Sequence, residues 1–229
     1  MTKKDRLIQN LRGKGVTVLH EKVGTCAECG TTIYCENGFL NGVLSANKTL
    51  KCFSCDERKV NNRVQLSPYQ SNWPETFASE KNVILQQLGD PTIPIEHIGS
   101  TSVPNLSAKP IIDILLGVES LDEFTRYIQP LSQAGYEYVP KPELRARRFF
   151  KKETDTNDTF HLHICEWKGS EWEEKITFRD HLRANPGSVL AYESLKKQLA
   201  ESYREERSVY TEKKGPFIQS ILNHAYKKG

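Results

Sequence analysis

Glu96-His97-Ile98-Gly99-Ser100-Thr101-Ser102-Val103-Pro104, and then Ala108-Lys109-Pro110-Ile111-Ile112-Asp113-Ile114-Leu115-Leu116-Gly117-Val118, is the stretch from which the fold is read. Ile93 to Ile98 predicts a strand that ends in the turn Gly99-Ser100-Thr101-Ser102, and a loop through Pro104 and Pro110 leads to a second strand. Ile111 to Val118 is almost continuously apolar, which marks a central strand buried on both faces. Asp113 is the exception within it. A carboxylate in such a strand costs free energy to bury, so a specific use for it is expected.

Outward from this pair of strands the pattern alternates. Upstream, Asn72-Trp73-Pro74 starts a helix whose stripe runs through Phe77, Lys81, Ile84, Leu85 and Leu88 and stops before Gly89-Asp90-Pro91. Downstream, a helix is predicted over Leu121 to Ala134, and strands over Tyr136 to Val139, Arg147 to Lys151 and Phe160 to Glu166. Three helical patterns close the chain. In them Tyr192, Leu195, Leu199 and Tyr203, then Phe217, Ile218, Ile221, Leu222 and Ala225, keep core-facing spacing. This is an α/β or α+β domain, expected over residues 64–229, where the composition changes after Asn61-Asn62-Arg63.

The 229 residues suffice for such a domain plus a small one. With 32 Lys and Arg against 29 Asp and Glu the net charge is +3, too mild for a general nucleic-acid coat. No apolar run approaches the roughly 18 residues of a spanning helix, so no membrane partner is expected. The start, Met1 to Arg6, is basic but leads into no apolar segment, and a cytoplasmic protein is the expectation.

Cysteine usage sets the first quarter apart. Of six cysteines, Cys26, Cys29, Cys35, Cys52 and Cys55 lie there, and Cys165 stands far downstream. Cys26-Ala27-Glu28-Cys29 and Cys52-Phe53-Ser54-Cys55 have the spacing at which one tight turn aims two sulfurs at one ion, and the twenty-two residues between the pairs are close to, though slightly more than, the separation in four-thiolate zinc sites. A disulfide pair or a thioredoxin-like motif is the competing reading, but neither a secretory signal nor a strand-helix-strand context accompanies the cysteines. A structural zinc ribbon is therefore expected over residues 1–60, with Thr31 to Tyr34 as a strand. Before it come a short amphipathic helix carrying Leu7, Ile8 and Leu11 and a strand from Val16 to Leu19. Cys35 is a small buried side chain or an alternate ligand, and Cys165 is packing. Lys48, Lys51, Arg58, Lys59 and Arg63, with Tyr34, Phe39 and Phe53 between them, make RNA or another nucleic acid a candidate partner, against a solvated basic face.

The signature around Gly99 and Asp113 resembles that of the GrpB family, and the resemblance continues through Gly135-Tyr136, His161-Leu162-His163, Phe178-Arg179-Asp180 and Tyr210-Thr211-Glu212-Lys213-Lys214. It implies a fold similar to the nucleotidyltransferase superfamily: a mixed sheet with flanking helices. In that superfamily a Gly-Ser turn offers backbone N–H groups and a hydroxyl to nucleotide phosphates, and carboxylates two residues apart on the next strand hold divalent metal. Gly99, Ser100 and Thr101 fit the first role, and glycine lets backbone donors approach the phosphates. Asp113 fits the second role, but its same-face neighbour is Leu115, so the acid pair is broken.

His161 and His163, two apart on one strand face, are candidates to complete a metal site with Asp113. Such a set favours manganese, iron or zinc over magnesium. His97 is a candidate base or a hydrogen-bonding partner of the turn. Lys109, Arg147 and Arg148, with Arg145 beside them, are candidate phosphate ligands, against a solvated face for the arginine run. The resemblance thus implies metal-dependent nucleotidyl or phosphoryl transfer from a nucleoside triphosphate. Leu115 keeps open a non-catalytic nucleotide- or RNA-binding protein of the same fold.

Overall fold

The computed structural model describes residues 6–8, 19–36, 39–41, 43–44, 48–53, 55, 64–155 and 158–227. The chain divides into two compact units, Met1–Arg63 and Val64–Gly229.

In the first unit β1 (Arg6–Ile8), β2 (Leu19–Thr25), β3 (Thr32–Glu36) and β4 (Phe39–Leu40) form one antiparallel sheet in chain order, and β5 (Val43–Leu44) pairs with β6 (Leu50–Lys51). Arg6–Ile8 is a strand, which corrects the helix expected around Leu7 and Ile8. A helix of so few residues cannot offset its nucleation cost, whereas pairing with Leu19–Glu21 satisfies the backbone at once. Leu11 and most of the Val16–Leu19 segment lie outside the described residues. The small core is Cys26, Ile33 and Cys55, with Leu40, Leu50 and Cys52 against it.

The second unit is a mixed five-stranded sheet flanked by helices. Its strands are β7 (Ile95–Ile98), β8 (Ile111–Val118), β9 (Glu137–Tyr138), β10 (Arg147–Glu153) and β11 (Thr159–Glu166), in the order β7-β8-β11-β10-β9. Only β8 and β11 run parallel; the other neighbours are antiparallel. The helices are α1 (Trp73–Leu88), α2 (Ile128–Gln133), α3 (Ser170–Ala184), α4 (Pro186–Ser202), α5 (Arg207–Lys213) and α6 (Gly215–Tyr226), with 3-10 turns at Ser100–Ser102 and Leu121–Tyr127.

Two departures from the expected elements have the same cause. The segment Leu121 to Ala134 is a 3-10 turn followed by a short α-helix, because Pro130 has no N–H for the Arg126 carbonyl and its ring would strike that turn. The C-terminal part contains four described helices rather than three patterns, because Lys214-Gly215-Pro216 breaks the run and Pro216 begins a new helix.

Alternation along the strands decides what each sheet face does. Ile112, Ile114 and Leu116 of β8, Phe160, Leu162 and Ile164 of β11, and Phe150 of β10 point to one face and pack with Trp73, Ile84 and Leu131. Glu80 of α1 is buried there and takes the Lys152 ammonium at 2.9 Å, tying helix to sheet. The odd-numbered residues point the other way. On that face Leu115, Ile98 and Cys165 cluster under Trp172 of α3, and Asp113, His161 and His163 lie beside them.

Candidate functional site

The turn and the acid are built as one unit. Gly99 has φ 72°, ψ −173°, and a Cβ there would lie 2.3 Å from Asp113 Oδ2. Any other residue would meet both a disfavoured backbone region and the carboxylate, so glycine is required by the strand acid beneath it. Register places Ile98 opposite Asp113 across β7 and β8. Below the turn, Thr101 donates its hydroxyl to the Ile111 carbonyl at 3.0 Å and Ser102 donates to the Gly99 carbonyl at 2.7 Å. From α3, Arg183 donates to the Ser102 carbonyl at 3.0 Å, and buried Arg179 reaches Glu96 at 2.6 Å, the His97 carbonyl at 3.1 Å and Asp180 at 2.7 Å. The Phe178-Arg179-Asp180 motif is thus a brace for the turn.

His97 is placed as part of that brace, which corrects its candidacy as a base. It is buried, stacks on Phe77 with centroids 4.7 Å apart, and holds the Thr101 hydroxyl at 3.1 Å. Because the Thr101 proton is committed to Ile111, His97 Nε2 is the donor. Burial, with Arg183 and Arg179 adding to it against the pull of Asp113, lowers the imidazole to about 4, so it is neutral. It is not among the residues that line the cavity.

Asp113 and both histidines meet on the cavity floor. His161 is the direct cross-strand partner of Asp113, and His163 that of Leu115. Asp113 Oδ1 lies 3.5 Å from His161 Nδ1 and 3.9 Å from His163 Nε2. Burial acts to raise the Asp113 pKa, but hydrogen bonding and charge from the two imidazoles win and hold it well below the usual carboxylate range. Burial lowers His163, an effect that Asp113 only partly offsets, and its Nδ1 is buried without a partner. Phe149 packs on both rings, at 5.0 and 5.3 Å between centroids. An ion bound by Asp113 could draw on these imidazoles. Among the described residues, however, the only three or more His, Cys, Asp or Glu donors mutually within 4.8 Å are four cysteines.

Leu115 shares the Asp113 face but is fully buried among Ile98, Cys165 and Trp172. The missing second acid is therefore part of a closed apolar cluster, and no carboxylate other than Asp113 lines the cavity among the described residues.

The cavity itself, of about 290 Å³, is cationic: Lys109, Lys141, Arg147, Lys196, Arg207 and Lys214 line it together with Ser100, Thr101 and Thr211. Ser100 accepts a hydrogen bond from Lys196 at 3.1 Å. Lys196, 1% exposed, also donates to the Ser107 carbonyl. Burial, and then repulsion from Lys214, brings its pKa down to about 7; burial and the charges of Arg207 and Lys214 bring Lys109 to about 8.

Of the arginines, Arg147 lines the cavity while paired to Glu171. Arg148, one residue on, points to the other sheet face, stacks on Phe124 at 4.9 Å and donates to the Arg145 and Arg147 carbonyls. It is outside the cavity, which corrects its candidacy as a phosphate ligand. Sequence reading missed Lys141, Lys196, Arg207 and Lys214. One signal was present for Lys196: it falls one turn after Tyr192 on the apolar stripe of α4, where a lysine is out of place.

In the first unit the sulfurs of Cys26, Cys29, Cys52 and Cys55 all lie within 4.8 Å of one another, a set that can hold a metal ion. None of the six cysteines forms a disulfide, and Cys35 is not in the cluster. Gly30 accepts φ 73° in the first knuckle, its N–H donating to the Cys26 carbonyl at 2.9 Å. Backbone N–H groups at Cys52 and Cys29 pull the Cys26 thiol down to about 6. Lys51 is buried and paired with Glu28 at 2.8 Å, so it is not part of an open basic face, a correction to the expected cluster. Arg58, Lys59 and Arg63 lie outside the described residues.

Comparison with known proteins gives the family. The GrpB protein pattern matches residues 63–224. The chain belongs to the GrpB family. The glutamate-rich protein GrpB of Alkalihalophilus pseudofirmus is 40% identical over 164 residues, 70% of this chain and 94% of that protein. A crystal structure of the conserved protein GrpB from Enterococcus faecalis is 37% identical with a TM-score of 0.63, covering 72% of this chain and 98% of that one. The Cid1 poly(U) polymerase overlays at a TM-score of 0.43 and 14% identity, over 65% of this chain and 46% of that one. No described helix of this GrpB-family protein is long and apolar enough to cross a membrane.

Proposed function

We propose that the Val64–Gly229 unit binds a nucleoside triphosphate beside Ser100 and passes a nucleotidyl or phosphoryl group from it to an acceptor, with a divalent ion at Asp113. The observation that carries this reading is the contact of the Gly99–Ser100 turn with Asp113 on the floor of a cavity lined by six cations. The turn and the Ser100 hydroxyl hold phosphate oxygens, while Lys109 and Arg147 supply charge-assisted hydrogen bonds. Asp113, with His161 and His163 beside it, would hold manganese or another transition metal in preference to magnesium. When bound, that ion neutralises charge developing on the reacting phosphorus oxygens. In the first unit the four cysteines would hold a structural zinc, with RNA as the candidate partner of that ribbon.

Nucleotide binding without transfer is the second reading, and the burial of Leu115 favours it, since the position that would carry a second acid belongs to the core. Calorimetry with manganese and each triphosphate tests the site, and release of pyrophosphate by nucleotidyl transfer, or of nucleoside diphosphate by phosphoryl transfer, separates the two readings. Asp113→Ala should weaken manganese-nucleotide binding by about tenfold or more. Equal binding by wild type and variant would reduce the reading to a likeness of fold.

A further inference from the structure

The cations on the C-terminal helices are arranged in a way that nucleotide binding at Ser100 does not by itself require. Lys109 precedes β8, Lys196 lies in α4, Arg207 begins α5 and Lys214 stands between α5 and α6, yet all four line the same cavity. Among the described residues, none of them has a carboxylate oxygen within ion-pair distance. The nearby acid Glu193 is taken by Lys197 at 3.1 Å and by the Ser107 hydroxyl.

We propose that Lys109, Lys196, Arg207 and Lys214 form a receptor for the terminal phosphates of a polyphosphate chain, one that needs neither a divalent ion nor a nucleoside. It rests on the phosphate half of the function proposed above and goes beyond it in ligand class.

Three observations carry it. First, Lys196 is fully buried and its two recorded acceptors, Ser100 Oγ and the Ser107 carbonyl, are neutral. A buried ammonium without a counter-charge is costly, and an anion in the cavity removes that cost. Second, neighbouring charge adds to burial: Arg207 and Lys214 act on Lys109, Lys214 acts on Lys196 and Arg207 acts on Lys214. All three lysines therefore lie below their ordinary values, although Asp113 pulls Lys109 and Lys214 up and Glu193 pulls Lys196 up. Lys214 also sits at the N-terminal end of the twelve-residue helix α6, where the helix dipole disfavours a cation and favours an anion beside it. Third, the wall is made for phosphate and not for a base. The Tyr210 ring is occupied by Lys109 at 5.0 Å and Lys214 at 4.7 Å, and Thr211 and Ser100 add hydroxyls.

A polyphosphate end carries several negative charges, matching four cations without help. The ion usually supplied with polyphosphate neutralises the same oxygens, so here it competes with the ammonium and guanidinium groups. Asp113 Oδ1 faces two imidazoles and its Oδ2 is packed on Gly99, so an ion held there is directed to His161 and His163 and is not needed to seat the terminal phosphates.

The test is calorimetry of the full chain with inorganic tripolyphosphate, in EDTA and again in excess magnesium, beside the same titrations with the nucleoside triphosphates. The expected result is one tripolyphosphate per chain in EDTA, with affinity equal or weaker in magnesium. Lys109→Met and Lys214→Met should each weaken it about tenfold. Lys214→Met should also raise the melting temperature of the ligand-free protein, because it relieves repulsion; a merely structural lysine would lower it. Tripolyphosphate binding that requires magnesium, or nucleotide binding with none to tripolyphosphate, overturns the proposal while leaving the nucleotide reading in place. Tripolyphosphate binding with no nucleotide binding does the reverse.

Discussion

Gly99 shows how one residue couples backbone and site. Its positive φ and the 2.3 Å approach of a would-be Cβ to Asp113 Oδ2 are independent penalties for any side chain. Gly99→Ala is expected to lose about 2–4 kcal/mol of stability, read from the urea midpoint, and to lose phosphate-ligand binding with it. A variant of wild-type stability would show that the turn and the acid are not packed as described. The neighbouring signature residues divide by the same logic of contact. Ser100 and Asp113 line the cavity, whereas His97, three residues before the turn serine in the chain, is drawn under the turn by its stack on Phe77. Sequence could locate His97 beside the turn, since β7 leads straight into it. It could not decide on which side of the sheet the ring lies, because the bulge of the turn and the helix that covers it are tertiary facts.

At the scale of the element, strand alternation explains both what the site has and what it lacks. Along the odd face of β8, Asp113 opens to the cavity and Leu115, one step further, is sealed under Trp172 of α3. The sequence places these two on one face, and a second acid at 115 looks sufficient to complete a metal pair. In the fold, Leu115→Asp would bury a carboxylate among Ile98, Cys165 and Trp172. It should cost about 3–5 kcal/mol in denaturant unfolding and gain no magnesium binding. A stable variant that takes up magnesium would mean α3 does not close that end of the face. The paired histidines follow the same alternation, and the parallel register that sets His161 opposite Asp113 was legible only as an expectation of convergence.

For the whole molecule, the division at residues 63 and 64 predicts separate behaviour of the two units. A segment of about 60 residues built around so small a core is marginal without a metal, whereas thiolate-bound zinc supplies on the order of 10 kcal/mol. With zinc at the four cysteines as proposed, a strong chelator, or Cys26→Ser, is expected to speed hydrogen exchange across residues 25–58. Exchange in the sheet of residues 64–229 should be unchanged. Fast exchange in both units would argue against two separately folding bodies.

What the sequence determined by itself was local: the apolar run of β8 with its single acid, the glycine turn before it, the helical stripes, and two Cys-x-x-Cys knuckles that need only a turn to form. These depend on neighbours within a few residues, and strand and helix periodicity writes them into the chain. The cationic wall was decided by tertiary structure alone. Lys109, Lys196, Arg207 and Lys214 are spread over about half the chain, and each taken singly reads as an ordinary surface cation. Only the closing of the C-terminal helices over the odd face of the sheet brings them to one cavity, where burial and neighbouring charge lower the three lysines, an effect not written in the sequence around any one of them.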